Sequence, residues 1–222
     1  YTTDISEPIK NIHLNQPKSK PILTVEQAKQ LILNTKENRH AIWQYRDHAM
    51  VYLMLTTGLR SIEIRRAKIH DLKVLQGKRI LYVHGKGRSF ADAFVKLSKG
   101  VSEAIDLYLK RRKDMNPYLF IAHRHPSPYL ALSRPFFNRW IRRILEESGL
   151  KHVEITTHAL RHSAATFNLL RGSSLESTRR FLRHVEPSST LIYLRHLEDQ
   201  KKDTEDQIER YIFLDEENEK KI

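Results

Sequence analysis

Cysteine is absent from the 222 residues, which excludes a disulfide-held scaffold and a thiolate nucleophile. No apolar run approaches the roughly 18 residues that a membrane-spanning helix needs, and no signal-peptide pattern opens the chain. Acid is in short supply as well. Lysine and arginine number 39 against 26 aspartate and glutamate, a formal charge of +13 with neutral histidines. Such an excess calls for a polyanionic partner, with nucleic acid and an acidic membrane surface as the two obvious classes. The reading these features favour is a soluble intracellular protein with one sizeable core, since no shift in composition divides the chain.

Periodicity and turn chemistry predict a mostly helical domain. Residues 1–20 contain Pro8 and Pro17 and no sustained apolar period, and read as an extended linker. Thr24 with Gln27 forms a capping box that opens a helix to about Asn34. A longer helix is expected over Arg39 to Thr56, stopped by Gly58, and a short one comes next, capped by Ser61. Arg79 to Val83 and Ala93 to Leu97 are rich in branched and aromatic residues around Gly85, Gly87, Arg88 and Ser89. That pattern predicts a hairpin, and a strand near Leu72 to Leu75 would complete a three-stranded antiparallel sheet. Helices resume over Ser102 to Arg112 and again after Ser133, where Phe136, Phe137, Trp140, Ile141, Ile144 and Leu145 recur at core spacing. The opposite face of that helix is expected to expose Arg139, Arg142 and Arg143.

The densest chemistry lies in His158 to Tyr193. Leu160, Ala164, Phe167 and Leu170 predict a helix capped by Thr157 and ended at Gly172. His158 and Arg161 stand one turn apart on it, so both could reach one anion near its N-terminus. A second helix, from about Ser174 to Leu182, delivers His184, and a break at Pro187 to Thr190 precedes Tyr193. From Glu198 to Ile222 ten acidic and five basic residues surround an apolar patch. This tail is expected to dock on protein, either the chain's own core or a neighbouring subunit.

The pattern H-x-L-R-H-S-x-A-T from His158, then Gly172, then L-x-H ending at His184, then S-S-T-x-x-Y ending at Tyr193, resembles the signature of tyrosine recombinases of the integrase and Xer type. Thr56 to Glu63 and His84 to Gly87 are similar to the same family's other two motifs. The resemblance implies a helical catalytic domain with a small antiparallel sheet over residues 21–197. It further implies a linker over 1–20, a C-terminal acidic segment over 198–222, and an N-terminal core-binding domain that is absent from this fragment. It implies site-specific cleavage and rejoining of DNA through a 3′-phosphotyrosyl bond, with no cofactor, metal or ATP.

In that scheme Tyr193 is the nucleophile, and Arg60 and Arg161 give paired hydrogen bonds to the phosphate. His158 adds a donor, Lys86 is the general acid, and His184 completes the pocket. Glu63 supports an arginine or the neighbouring backbone. Lys96 and Arg88 are weaker substitutes for the acid. Arg88, Arg139, Arg142, Arg143 and Arg183 are candidate DNA contacts, Arg183 standing where the family usually has glycine. The implied partners are a double-stranded recombination site, a homotetramer on two duplexes, and an accessory DNA-bending or activating protein, in the cytoplasm of a bacterium or encoded by a phage and associated with the nucleoid.

Four bland or rival readings stand beside this one. Singly, each of these residues is more often a surface charge, a cap or a half-buried aromatic; their joint order outweighs that. His158 and His162 at i, i+4 suggest a metal, but Ala159 stands where a hydrolytic zinc helix carries glutamate, and Arg161 between them would repel a cation. A DNA-binding module that no longer cuts, and a type IB topoisomerase, are the functional alternatives.

Overall fold

The computed structural model describes residues 21–85, 93–123, 132–150 and 155–183. Helix α1 spans Val25–Glu37, α2 Ile42–Thr57, α3 Ser61–Arg66, α4 Lys99–Arg111, α5 Arg134–Glu147, α6 Thr157–Leu170 and α7 Leu175–Leu182. Strands β1 (Leu72–Leu75), β2 (Lys78–Val83) and β3 (Ala93–Lys96) form one antiparallel sheet in the order β1-β2-β3. None of the described helices is long and apolar enough to cross a membrane. The mainly helical class with a small three-stranded sheet is therefore as the sequence predicts.

Helix α2 organises the core. It packs against α1, α4 and α6, and Ala49, Met50, Val51, Leu53 and Met54 are fully buried. A helix apolar on nearly every side has to be surrounded, and this one is. Ser163 on α6 ties the first described segment to this centre. Its hydroxyl accepts the Leu23 N–H at 2.8 Å and donates to the Ala159 carbonyl at 2.9 Å.

Several predicted boundaries move once the capping contacts are visible. The Thr24 capping box is present, but α1 runs on to Glu37. Helix α2 starts at Ile42, where the Gln44 side chain accepts the His40 and Ala41 N–H groups. Helix α4 starts at Lys99, three residues ahead of the expected Ser102, and is capped by Ser98, whose hydroxyl accepts the Val101 N–H. The cap of α6 is Thr156, so Thr157 is its first helical residue. Leu170, expected in the apolar stripe, is exposed at the far end. Ser133 caps α5 and Ser174 caps α7, as their positions suggest.

At the start of α3 the difference reaches the chemistry. Arg60, not Ser61, is the N-cap. A side-chain hydroxyl usually plays that part; here the carboxylate of Glu63 reaches back to the Arg60 backbone N–H at 2.7 Å. The same glutamate then sets both the helix start and the arginine.

Candidate DNA-cleavage site

Gly58 ends α2 in the left-handed conformation, with φ +60°. A Cβ there would stand 2.9 Å from a methyl group of Leu182 and 3.2 Å from the Phe181 ring. Glycine is needed on both counts, and its absence of a side chain lets the ends of α2 and α7 touch. Arg161, buried on α6, holds that junction. Its guanidinium donates to the carbonyls of Gly58 and Leu182, the terminal carbonyls of those helices that their own ladders leave unsatisfied.

Next to the junction lies a buried carboxylate. Glu63 is 2% exposed. One of its oxygens, Oε2, accepts the Arg60 N–H at 2.7 Å and an Arg183 N–H at 3.1 Å. The other, Oε1, accepts Arg60 Nη1 at 3.0 Å. The side chain of Arg60 remains 30% exposed, so it is both tethered and open to solvent. A closed circuit results: Arg161 joins residues 58 and 182, and Glu63 joins residues 60 and 183.

His158 is exposed in the first turn of α6, three residues before Arg161. The structure thus brings Arg60, Glu63, Arg161 and Arg183 together from three parts of the chain, with His158 on the same helix as Arg161. At the other end of α3, Arg66 donates to the Gly85 carbonyl at 3.0 Å. Asp71, buried, accepts the Lys68 N–H at 2.8 Å and lies 3.4 Å from His84. Residues 84 and 85, which lead into Lys86, are therefore attached to α3 and to the turn after it. Lys86, Arg88, His184 and Tyr193 fall outside the described residues, as do the 1–20 linker and the 198–222 segment.

Three arginines differ from the expectation. The motif assigns the Arg161 guanidinium to phosphate, but two of its N–H groups lie on main-chain carbonyls. Arg183, expected as a DNA contact, binds Glu63 and the Phe181 carbonyl instead. It also adopts φ 56° and ψ 43° as the C-cap of α7. For a residue with a Cβ this left-handed geometry costs about 1–2 kcal/mol, and the family's usual glycine would avoid that. Arg143 is expected on an exposed basic face with Arg139 and Arg142. Those two are exposed, whereas Arg143 is half-buried. It pairs with Asp47 and Glu147 and lies 4.5 Å from the centre of the Trp43 ring. Burial and these carboxylates act in opposite directions, and the carboxylates win, raising the Arg143 pKa further.

Sequence reasoning missed the second half of that arrangement. Arg46 and Asp47, both buried in α2, are ion-paired at 2.7 Å, and Arg46 also donates to the Ile121 carbonyl. Adjacent charges inside a helix with no exposed face were the available signal. A cavity of about 350 Å³ on the α2–α5 seam is lined by Trp43, Arg46, His123, Phe136, Trp140 and Arg143. None of the Glu63 cluster lines it.

Comparison with known proteins decides the family. Residues 21–200 match the model of the phage integrase family. The chain belongs to that family. It is 34% identical over 181 residues to tyrosine recombinase XerA of Pyrococcus furiosus, a match covering 81% of this chain and 59% of that protein. It is 32% identical over 155 residues to tyrosine recombinase XerD of Listeria innocua, covering 67% and 49%. The chain thus spans about half to three-fifths of the curated relatives it matches. Among solved structures, a XerA recombinase superposes with TM-score 0.67 at 26% identity, covering 84% of this chain and 66% of that one. A XerH recombinase bound to its difH substrate after cleavage superposes with TM-score 0.72 at 24% identity, over 90% of this chain and 57% of that one, and shows the shared fold.

Proposed function

We propose that this chain is the catalytic part of a site-specific DNA recombinase that cuts and rejoins strands through a 3′-phosphotyrosyl intermediate. The observation that carries this reading is the Glu63 cluster, in a member of the phage integrase family: Arg60 and Arg183 share the Glu63 carboxylate, and Arg161 holds the adjoining Gly58 and Leu182 carbonyls, at the meeting point of three helix ends. Arg60, held by Glu63 yet open to solvent, supplies planar donors to the non-bridging phosphate oxygens. Arg161 fixes the α2 and α7 ends that flank the pocket and places its charge behind it. His158 adds a donor from the first turn of α6.

The chemistry is that of an oxygen nucleophile and an oxygen leaving group. The Tyr193 phenol oxygen attacks phosphorus and loses its proton, the bond from phosphorus to the 5′ oxygen breaks, and Lys86 gives that oxygen a proton. The new phosphotyrosyl ester resembles the bond it replaces, so a second 5′ hydroxyl reseals it without ATP, and no metal is required. His184 completes the hydrogen bonding around the phosphate. Arg139, Arg142 and Arg88 contact the DNA backbone and set position rather than sequence.

On this reading the working assembly is a homotetramer on two duplexes, in which the 198–222 segment docks on a neighbour, with a DNA-bending or activating protein as accessory. Residues 21–197 form the catalytic domain, 1–20 lead into it from a core-binding domain, and the protein acts in the cytoplasm on nucleoid DNA. The test uses a suicide DNA duplex whose cleaved strand diffuses away. Wild type should accumulate a covalent adduct and Tyr193→Phe none; equal adduct from both would reject the reading.

A further inference from the structure

Arg183 occupies a backbone geometry that suits glycine, yet its side chain is directed inward and is only 15% exposed. Nη2 reaches Glu63 Oε2 at 3.1 Å, and Nη1 reaches the Phe181 carbonyl at 2.9 Å. The carboxylate oxygen it touches is the one that also accepts the Arg60 N–H, while the other oxygen holds the Arg60 guanidinium. One buried carboxylate is thus divided between two arginines, one of them open to solvent and one not.

We propose that Arg183 is a positioning residue for Arg60, acting through Glu63. Sharing the carboxylate has two effects. Its plane is fixed from both sides, which fixes the direction of the Arg60 guanidinium bound to Oε1. Its charge is also divided, so that Glu63 neutralises less of Arg60 and more of the arginine's attraction remains for an anion. With glycine at this position the backbone would relax, but Glu63 would belong to Arg60 alone. Arg183 additionally anchors the end of α7, the residue before His184, to the start of α3. The proposal rests on Arg60 contacting the scissile phosphate.

The experiment compares single-turnover cleavage of two suicide duplexes by the full-length protein. One carries the natural phosphate, and the other a stereopure methylphosphonate in which one charged non-bridging oxygen is a methyl group. Arg183→Gly permits the left-handed backbone, so it should fold and melt close to wild type. It should cleave the phosphate duplex about tenfold more slowly, with the defect falling to about twofold or less on the methylphosphonate. Arg183→Lys, which keeps the charge, should recover part of the rate. Should Arg183→Gly fail to fold, Arg183→Met, which retains the native backbone strain but not the charge, takes its place with the same expectation.

Arg60→Ala separates the proposal from the reading beneath it. If its own defect does not shrink on the methylphosphonate, the assignment of Arg60 to the phosphate fails. If the Arg60→Ala defect shrinks while Arg183→Gly is equally slow on both duplexes, or as fast as wild type on both, the positioning role of Arg183 is overturned.

Discussion

Two buried carboxylates in this fold each gather arginines, and the two clusters have opposite character. Asp47 in α2 receives Arg46 and Arg143, and Arg143 is met by Glu147 as well, so two arginines face two carboxylates. Aromatic faces close this group: Arg46 lies 4.7 Å from the centre of the Phe136 ring and Arg143 4.5 Å from that of Trp43. Glu63, by contrast, receives Arg60 and Arg183, with Arg161 beside them on main-chain carbonyls. Two arginines there share one carboxylate. A balanced cluster fastens helices together. An unbalanced one, placed where helix ends meet and partly open to solvent, leaves positive charge that can attract an anion, as the proposed function requires.

Mutation separates the two clusters, and Arg161 should respond most. Arg161→Ala should lower the cleavage rate by about a thousandfold, on the order of the loss of a principal oxyanion donor. It should also lower stability by about 1–3 kcal/mol, because two buried carbonyls lose their donor. DNA affinity, set mainly by other backbone contacts, should largely survive. Binding titrations and melting curves alongside cleavage assays check all three, and parallel loss of affinity and cleavage would contradict the role.

Asp47→Ala is the matching test on the balanced side. It leaves Arg46 buried with its carboxylate gone, and stability should drop by about 3–5 kcal/mol in denaturant titration. The folded fraction should still cleave at near the wild-type rate. A cleavage defect as large as that of Arg161→Ala would erase the distinction between the clusters.

Gly58→Ala should cost about 1–3 kcal/mol, combining a left-handed alanine with a contact of 2.9 Å on Leu182. Because it separates the α2 and α7 ends, cleavage should weaken together with the melting temperature. A variant that melts like wild type would show that the two helix ends are not in close contact.

The mildest change is a pH dependence carried by α2. Burial, reinforced by Arg39 and Lys36, pushes the His48 imidazole down to about 4. In the unfolded chain it protonates near 6.5. The unfolded state therefore binds the extra proton between those values, so stability is full above about pH 6.5 and falls as pH drops toward 4. The loss should be on the order of 1–3 kcal/mol. His123, also lowered to about 4 by burial, acts in the same direction. His48→Gln should flatten the slope of melting temperature against pH over that window; an unchanged slope would exclude His48 as its source.

Much of this is legible in the chain, for identifiable reasons. The helices and the hairpin strands are read from apolar period and from Thr24, Gly58 and Ser133, whose capping roles depend only on near neighbours. Arg60 and Arg161 stand out because their motifs are local. Their relation does not, since the Gly58 and Leu182 carbonyls that Arg161 joins are separated by more than a hundred residues. Arg143 is misplaced by the sequence for the same reason. On its own helix it belongs to a basic face, and only the fold brings Asp47 beneath it. Arg183 is visible as a departure from glycine, but nothing local to it shows that its side chain turns inward to Glu63.

Mapping the covalent bond is the decisive measurement. A suicide duplex is trapped on the wild-type protein, the adduct is digested, and the DNA-linked peptide is sequenced by mass spectrometry. A 3′-phosphate ester on Tyr193 is expected, lost in step with cleavage when Arg60 or Arg161 is replaced. DNA attached to a different residue such as Tyr211, or cleavage with no protein-linked DNA at any time, would refute a phosphotyrosyl route through this site.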